Sequence, residues 1–544
     1  MAICAIVLCS SAAYLLLMRD QHSLLHYADA VSHLVISRSV FDSINPGMGM
    51  MGGVWLPLGH LMLMPFVTSD FLFHTGLAGT IVSTLSIAVT ASTMLRIAKL
   101  QFNLSVMAGL ISASLYMMNT SVIYMGVVPM QEAPFMMFFV LSAYYLQRIY
   151  YSRIHIDSNL VVNLKDQALF VKCALVISAA TLIRYEGWLL PFAFIIVLKA
   201  AKFVLRTKNE MWRPRFGWFE SVCIFLSFSG IIFWFIWDFA YYRDSLYFAT
   251  GPYSPQIQNQ PFSGYFHLNP VLVLSTLIGI SKAMYGIPVL IIAIFGIVSY
   301  IYITRKDHRR LVFFLLTMVI LMIPLLSIFL SMIQGSAVIY PIKEGGWFNG
   351  RYLTTISPLL AFCSVSLIMS VYERVRSRKS IITGAISSVV IVIVLSFYIS
   401  TFISNPLEIG RATALNDRFV LLPFSKQFQF AIDTGDALRK LTSDKRALIV
   451  LFTPSQNGQE IILESGLPVK NFIDVGSGSY WDISKSAPWT YASHLVIRKP
   501  MDIHRDPKNN LIDYWTQNQE IIMKHFNPAY ENPYFMVLKN FTRR

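Results

Sequence analysis

HTGLAGTIVSTLSIAVTASTMLRIAK, residues 74–99, decides the architecture. From 74 to 94 it holds no Asp, Glu, Lys or Arg, and Arg96 and Lys99 then close it. A helix of about 20 apolar residues crosses a hydrocarbon core of about 30 Å, and a basic end is expected to stay cytoplasmic. The same unit recurs along the chain. Apolar runs lie at 2–18, 74–94, 104–124, 132–147, 169–183, 187–205, 219–237, 286–303, 311–332, 353–371 and 381–402. Basic residues collect in alternate loops: Arg148, Arg153 and Lys165; Lys202, Arg206, Lys208, Arg213 and Arg215; Arg305, Lys306, Arg309 and Arg310; Arg374, Arg376, Arg378 and Lys379. Placing those loops inside predicts a mostly α polytopic membrane protein of about eleven helices, with a cytoplasmic N-terminus and everything after Phe402 outside.

The composition agrees. The chain has 544 residues, 55% of them hydrophobic and only 13% charged, which excludes ordinary soluble domains. A net charge of +15 would fit a nucleic-acid binder, but the charge falls in short clusters between apolar runs, so no nucleic-acid partner is expected. Cys4, Cys9, Cys173, Cys223 and Cys363 all lie within apolar runs, which argues against a disulfide-stapled ectodomain. Ala2 to Met18 lacks a basic leader and a small-residue cleavage site and reads as a retained helix.

The division expected is a membrane part, 1–403, and an extracytoplasmic α/β domain, 404–544. In the tail, Gln427 to Leu441, Glu460 to Ser465 and Leu511 to His525 have helical character. Arg446 to Phe452, Asn471 to Val475, Ser493 to Arg498 and Tyr534 to Lys539 read as strands. Two outer loops are long, Arg19 to Phe73 and Asp238 to Tyr285. The second ends in an amphipathic stretch, Asn269 to Tyr285, suited to a membrane surface.

Charge in the outer segments comes in short words. HYADAVSHLVISRSVFDS, residues 26–43, has helical spacing; Asp29 and His33 share a face, and Arg38 and Asp42 form a second pair four apart. Gln131 and Glu132 open the fourth run, Arg184 and Glu186 sit in LIRYEGWLLP, Lys282 lies in the amphipathic stretch, and KEGGWFNGRYLTTISP carries Lys343, Glu344, Arg351 and Tyr352. Solvated ion pairs are the plain alternative for each. Yet unpaired charge beside a bilayer is costly, and all these groups are expected on one side. Carboxylates facing Arg and Lys suit an anionic lipid substrate: guanidinium groups hold phosphate in a fork, and a carboxylate takes a proton from an attacking hydroxyl.

These words resemble the GT-C superfamily of membrane glycosyltransferases, nearest to dolichyl-phosphate-mannose–protein mannosyltransferase-like and aminoarabinose-transferase-like members. The resemblance rests on Asp29 in YADAVSHL, WLPLGH at 55–60, RYEGW at 184–188, GRY at 350–352 and the multi-span part followed by an α/β tail. It implies an inverting transferase that moves a sugar from a polyprenyl- or dolichyl-phosphate carrier to a hydroxyl of a protein, glycolipid or lipid-linked glycan. Asp29 is then the expected catalytic base. The substrate-binding set is His33, Arg38, Trp55, His60, Glu132, Arg184, Glu186, Lys282, Arg351 and Tyr352, with Arg184, Lys282 and Arg351 on the donor phosphate. Many members have a second carboxylate after the first-loop aspartate; here Ala30 follows. No cofactor is therefore firmly implied, and a divalent metal shared between neighbouring carboxylates is disfavoured. His33 and His60 remain alternative ligands beside Asp29, against a reading as packed or hydrogen-bonded histidines. Two other functions compete. A transporter or lipid flippase would call for mid-membrane polar groups and broken helices, and an assembly or sensor protein would use the tail to bind a partner.

Overall fold

The structure is a computed structural model of the chain. It describes residues 1–19, 22–25, 28–102, 105–155, 164–206, 217–251, 253–258, 266–341, 347–376, 381–404, 422–442, 447–452, 455–499 and 511–542. The principal helices of the first part are α1 (Ala2–Arg19), α2 (Ala28–Ser39), α3 (Pro57–Val67), α4 (Leu77–Gln101), α5 (Val106–Met117), α6 (Glu132–His155), α7 (Leu164–Thr181), α8 (Leu190–Arg206), α9 (Trp218–Tyr242), α10 (Pro270–Tyr285), α11 (Ile287–Thr304), α12 (His308–Leu321), α13 (Ile323–Gln334), α14 (Ser357–Arg376) and α15 (Ile381–Ser404).

Among the described residues, five helices are long and apolar enough to cross a membrane, or six when α12 and α13 count as one bent span. Eleven runs were expected, and the difference has local causes. The run at 311–332 bends by 43° between α12 and α13, where Pro324 opens α13; proline lacks the N–H that would continue the ladder. The run at 104–124 breaks at Asn119, whose Oδ1 accepts from Val122 N at 3.1 Å and starts a short new helix, Thr120–Met125. α5 and α10 are apolar but shorter than a full span. The stretch expected on the membrane surface is α10, and it buries Val273, Leu277, Ile280 and Met284.

The span Gly350–Arg374 sits at the centre, with 89% of its apolar window buried, whereas Trp218–Tyr242 buries 28% and turns Phe225, Ile236 and Phe239 outward as a lipid-facing helix does. Gly296 on α11 lets the central helix come close, since a Cβ there would sit 1.9 Å from the Cys363 carbonyl oxygen.

A short antiparallel pair, β1 (Tyr340–Pro341) and β2 (Trp347–Phe348), precedes the central span. The tail holds α16 (Leu422–Leu441), β3 (Ile449–Phe452), α17 (Ser455–Ser465), β4 (Phe472–Ile473), α18 (Ser479–Ser486), β5 (His494–Arg498), α19 (Leu511–Met523), β6 (Phe526–Glu531) and β7 (Phe535–Asn540). The sheet order is β4-β3-β5-β7-β6, parallel across β4, β3 and β5 and antiparallel at β7 and β6. All four expected strands are present; β6 and α18 are additional. β6 is an exposed edge, and its register shifts between Pro528 and Tyr530.

Strand alternation sends Ile449 and Leu451 to one face and Val450 and Phe452 to the other. The first face does not close on the tail alone. Ile449, Leu451, Ile461, Ile462 and Leu463 share one apolar cluster with Leu25, Val31, Leu34, Val35, Leu63 and Val67 of the first loop. The sheet therefore rests on α2 and α3. The expected boundary at 404 adjoins residues 405–421, which lie outside the described ones.

Candidate active site

α2 explains the geometry of the site. At about 100° per residue, Asp29 and His33 project on one side of the helix. Val31, Leu34 and Val35 project on the other and enter the cluster shared with the tail. Arg38, nine positions after Asp29, falls about 180° away from it.

Glu132 is held in place through α4, which seats the segment that leads into it. On α4, Thr80 Oγ1 donates to Val127 O (2.6 Å), Ser83 Oγ to Val128 O (2.7 Å) and Thr84 Oγ1 to Gly126 O (3.0 Å). The hydroxyls of Thr80 and Thr84 pair carbonyls of the non-helical segment 126–130 in an apolar setting, and that of Ser83 adds a second donor to the Val128 oxygen, which also accepts from Met130 N at 2.8 Å. Gly79 completes the seat: a Cβ there would lie 2.0 Å from Pro129 Cβ and 2.3 Å from its Cα. The segment ends where α6 begins, at Glu132.

Arg184 stands in a tight turn. Gly187 allows it, because a Cβ at that position would come within 2.5 Å of the Ala180 carbonyl oxygen. Leu58 N donates to Leu182 O at 3.0 Å, tying the start of α3 to this turn. Tyr185 Oη donates to Val54 O (2.5 Å) and Trp237 Nε1 to Gly52 O (3.0 Å), which fixes the GGVW segment and so Trp55. Arg351 follows Asn349, which adopts a left-handed conformation (φ 53°) that asparagine tolerates well. Asn349 Oδ1 accepts from Arg351 Nη1 at 3.1 Å. Tyr285 Oη, at the end of α10, donates to Leu353 O at 2.7 Å and pins the same turn.

These elements meet in one charged cluster. Arg351 Nη2 pairs with Asp29 Oδ2, and its Nε lies 3.3 Å from Glu132 Oε1. Arg184 Nη1 donates to that same oxygen at 2.8 Å. Its Nε reaches both oxygens of Glu186 (3.1 and 3.2 Å), and its Nη2 donates to Glu186 Oε1 at 2.6 Å. The ring of Tyr352 lies 5.2 Å from the Arg184 guanidinium carbon and 5.1 Å from that of Arg351, so both cations share one π face system. Glu132 is fully buried, and its Oε2 has no hydrogen-bond partner among the described residues. The Asp29 side chain is 22% exposed against 1% for Glu132, so Asp29 is the more accessible of the two acids that Arg351 holds.

His33 and His60 continue the cluster. Their Nδ1 and Nε2 atoms are 2.9 Å apart. Gln131 Nε2 lies 3.4 Å from the same His33 Nδ1, so that nitrogen accepts and His60 Nε2 donates. The Trp55 ring covers His33 at 4.6 Å. Burial pushes the His60 imidazole down to about 4. It pushes His33 well below the usual value, helped by His60, Arg351 and Arg184. Both rings are neutral near pH 7.

Of the residues singled out from sequence, Asp29, His33, Trp55, His60, Glu132, Arg184, Glu186, Arg351 and Tyr352 come together. Arg38 does not. It pairs with Asp42 (3.0 Å) and Asp70 (2.5 Å) and donates to Val67 O (2.9 Å) on the far face of α2. Lys282 is exposed on α10 and touches none of the cluster. Lys343 and Glu344 lie outside the described residues. Gln131, named beside Glu132 in the sequence but given no role there, belongs to the site; so does Asn349, which carries no charge that would mark it.

A divalent cation does not fit these groups as arranged. Arg351 holds Asp29, two guanidinium groups hold Glu132 Oε1, and the histidine nitrogens that face each other are spent on one another. Among the described residues no group of three or more His, Cys, Asp or Glu is placed to hold a metal.

No protein-family model matches the chain, and no curated protein matches its sequence. Solved structures do match its fold. ArnT from Cupriavidus metallidurans, bound to undecaprenyl phosphate, aligns with a TM-score of 0.51 and 12% identity over 96% of this chain and 98% of that one. An Archaeoglobus fulgidus oligosaccharyltransferase in complex with zinc and sulfate aligns at 0.50 and 11% identity, over 86% of this chain and 64% of that one. AglB from Archaeoglobus fulgidus, in complex with an inhibitory peptide and a dolichol-phosphate, aligns at 0.50 and 10%, over 86% and 65%. The chain thus spans a little under two thirds of the oligosaccharyltransferase length. The fold is the one these GT-C glycosyltransferases share, as the resemblance of the short words implied.

Proposed function

We propose that this chain is an inverting glycosyltransferase that moves a sugar from a polyprenyl- or dolichyl-phosphate carrier to a hydroxyl acceptor on the non-cytoplasmic side, with 1–403 as the catalytic membrane part and 404–544 outside. One observation carries the reading. Asp29 and Arg351, 322 positions apart, pair in a buried cluster with Glu132 and Arg184. The shared fold supports it, as do the polyprenyl and dolichol phosphates bound to two of the solved neighbours.

In this scheme the acceptor oxygen attacks the anomeric carbon. The bond from that carbon to the phosphate oxygen breaks, its electron pair leaves on the lipid phosphate, and the hydroxyl proton passes to the Asp29 carboxylate. Arg351 has two tasks in sequence. Without donor it neutralises Asp29; with donor its fork turns to the phosphate, where negative charge grows in the transition state, and an Asp29 oxygen is released for the acceptor. Arg184 is already committed to Glu186 and Glu132, so it steadies the site more than it grips the donor. Lys282, exposed on α10, is the third basic residue expected on the phosphate. The neutral His33–His60 pair and Trp55 supply a hydrogen-bonding, aromatic wall of the kind that holds a sugar ring.

The test is purified full-length protein incubated with a panel of polyprenyl-phosphate sugars and hydroxyl acceptors, reading released lipid phosphate. Release that requires an acceptor is expected for one donor. Silence across the panel, with folded protein, sinks the assignment.

A further inference from the structure

The reading of the cluster leaves the tail without a task, yet the tail is bound to the one helix that presents Asp29. Four polar contacts join the tail to the segment around that helix, one on α2 itself and three on residues that flank it. Before the helix, His22 Nε2 donates to Glu464 Oε1 at 3.1 Å. Within it, Ser32, buried and three positions after Asp29, donates from Oγ to Gln459 Oε1. After it, Val469 N donates to Asp42 Oδ2 at 3.3 Å, the oxygen that also receives Arg38 Nε. Beyond the loop, His74 Nδ1 donates to Leu463 O at 2.7 Å. Their tail partners all lie on α17 and the turn after it. Between these points, Val31, Leu34 and Val35 pack into the same apolar cluster as Ile461, Ile462 and Leu463.

We infer that the tail is a clamp that sets the pose of the Asp29 helix, and that Gln459, acting through Ser32, is a positioning residue for the reaction at Asp29. Ser32 sits on the flank between the two faces of α2, about 60° from Asp29 and about 100° from Val31. A hydrogen bond at that flank resists rotation of the helix about its own axis, which apolar packing alone restrains weakly because it has no direction. Rotation is the motion that would carry Asp29 away from Arg351. At the helix exit Arg38 holds the Asp42 carboxylate whose Oδ2 receives the Val469 amide, a second tie that works against the same rotation. The kinetic part of this inference rests on the function proposed above; the structural part does not.

The experiment uses the full chain in nanodiscs with two substitutions. Gln459→Met keeps the length and removes the acceptor; Gln459→Glu keeps an accepting oxygen at the same reach. Hydrogen exchange is expected to quicken at the amides of Val31 to Val35 in Gln459→Met, to stay near wild type in Gln459→Glu, and to be unchanged in both along Leu77–Gln101. With an active donor, Gln459→Met is expected to lower kcat by about 10- to 100-fold with donor KM unchanged, and Gln459→Glu to restore it. Exchange in Val31 to Val35 that ignores Gln459→Met overturns the clamp. A kcat equal to wild type in an active preparation overturns the positioning role. A wild-type protein inert with every donor instead removes the transferase reading, and the exchange comparison still decides the clamp.

Discussion

Arg184 and Arg351 share a single acceptor, Oε1 of Glu132, at 2.8 and 3.3 Å. Two guanidinium groups brought this close repel, and the buried carboxylate between them is what makes the arrangement stable. Removing one partner of a buried ion pair typically costs about 3–5 kcal/mol. Glu132→Gln is therefore expected to lower the thermal unfolding midpoint strongly and to loosen Arg351 from its place. An unchanged midpoint in detergent would show that other groups hold the two arginines together.

Asp29→Asn preserves shape and hydrogen bonding but cannot accept a proton. Transfer is expected to fall by about 100-fold or more, while the protein still binds a polyprenyl-phosphate sugar. Turnover retained at the wild-type rate would remove Asp29 from the chemistry.

Arg351→Ala separates binding from proton transfer. Loss of one charge-assisted hydrogen bond to the phosphate is worth about 1.5–3 kcal/mol, which is about 10- to 100-fold in donor affinity. Titration of lipid donor by fluorescence or calorimetry measures it directly. An unaltered affinity would move the phosphate elsewhere, with Lys282 the first place to look.

Gly79→Ala tests the seat beneath Glu132. The added methyl meets the Pro129 backbone at 2.3 Å, so α4 or the segment 126–130 must shift. Overpacking of this kind costs about 1–3 kcal/mol, and the hydroxyl bonds from Thr80, Ser83 and Thr84 would stretch with it. Reduced stability and reduced transfer are both expected; a variant with wild-type values of each would mean that this contact does not position the acid.

Acid should weaken the protein through its buried imidazoles. His33 and His60 are held neutral in the fold by burial, His60 down to about 4, while in the unfolded chain each takes a proton below about pH 6.5. Stability is therefore complete above pH 6.5 and is lost as the pH falls from there toward 4, because the unfolded state binds more protons across that window. His494 in the tail, also held near 4 by burial and then by Lys539, adds to the loss with the same sign. Thermal midpoints at pH 7.5 and pH 5 measure the drop. His60→Gln, whose amide can still donate to His33 Nδ1, is expected to shrink it.

Much of this site can be read from the chain because charge is rare in it. Asp29, Glu132, Arg184 and Arg351 stand out against apolar neighbours, and each was expected to carry function for that reason. Thr80, Ser83 and Thr84 give no such signal. They look like ordinary small polar positions of a spanning helix, and their acceptors lie more than forty residues away in sequence. Asn349 is hidden in the same way: an uncharged amide near a loop is common, and only its three-dimensional neighbours give it meaning; Gln131 stands out only as the neighbour of Glu132. Arg38 was grouped with the substrate residues on sidedness alone, although its nine-residue offset from Asp29 already placed it on the opposite face of α2. Among the spans, length misled where composition did not; proline and asparagine within apolar runs bend or restart helices that hydropathy counts as continuous. The edge strand β6 gives no such signal because Pro528 and its exposed side chains interrupt the apolar character that marks the other four.

The common apolar cluster of tail and first loop bears on how this protein can be handled in the laboratory. Expressed by themselves, the last 140 or so residues would offer Ile461, Ile462 and Leu463 to water, and the trimmed membrane portion would offer Val31, Leu34 and Val35. Both fragments are poor reagents: the first would aggregate, and the second would lose activity for reasons unrelated to substrate recognition. Dissecting the molecule calls for point substitutions along the seam, not for scissors.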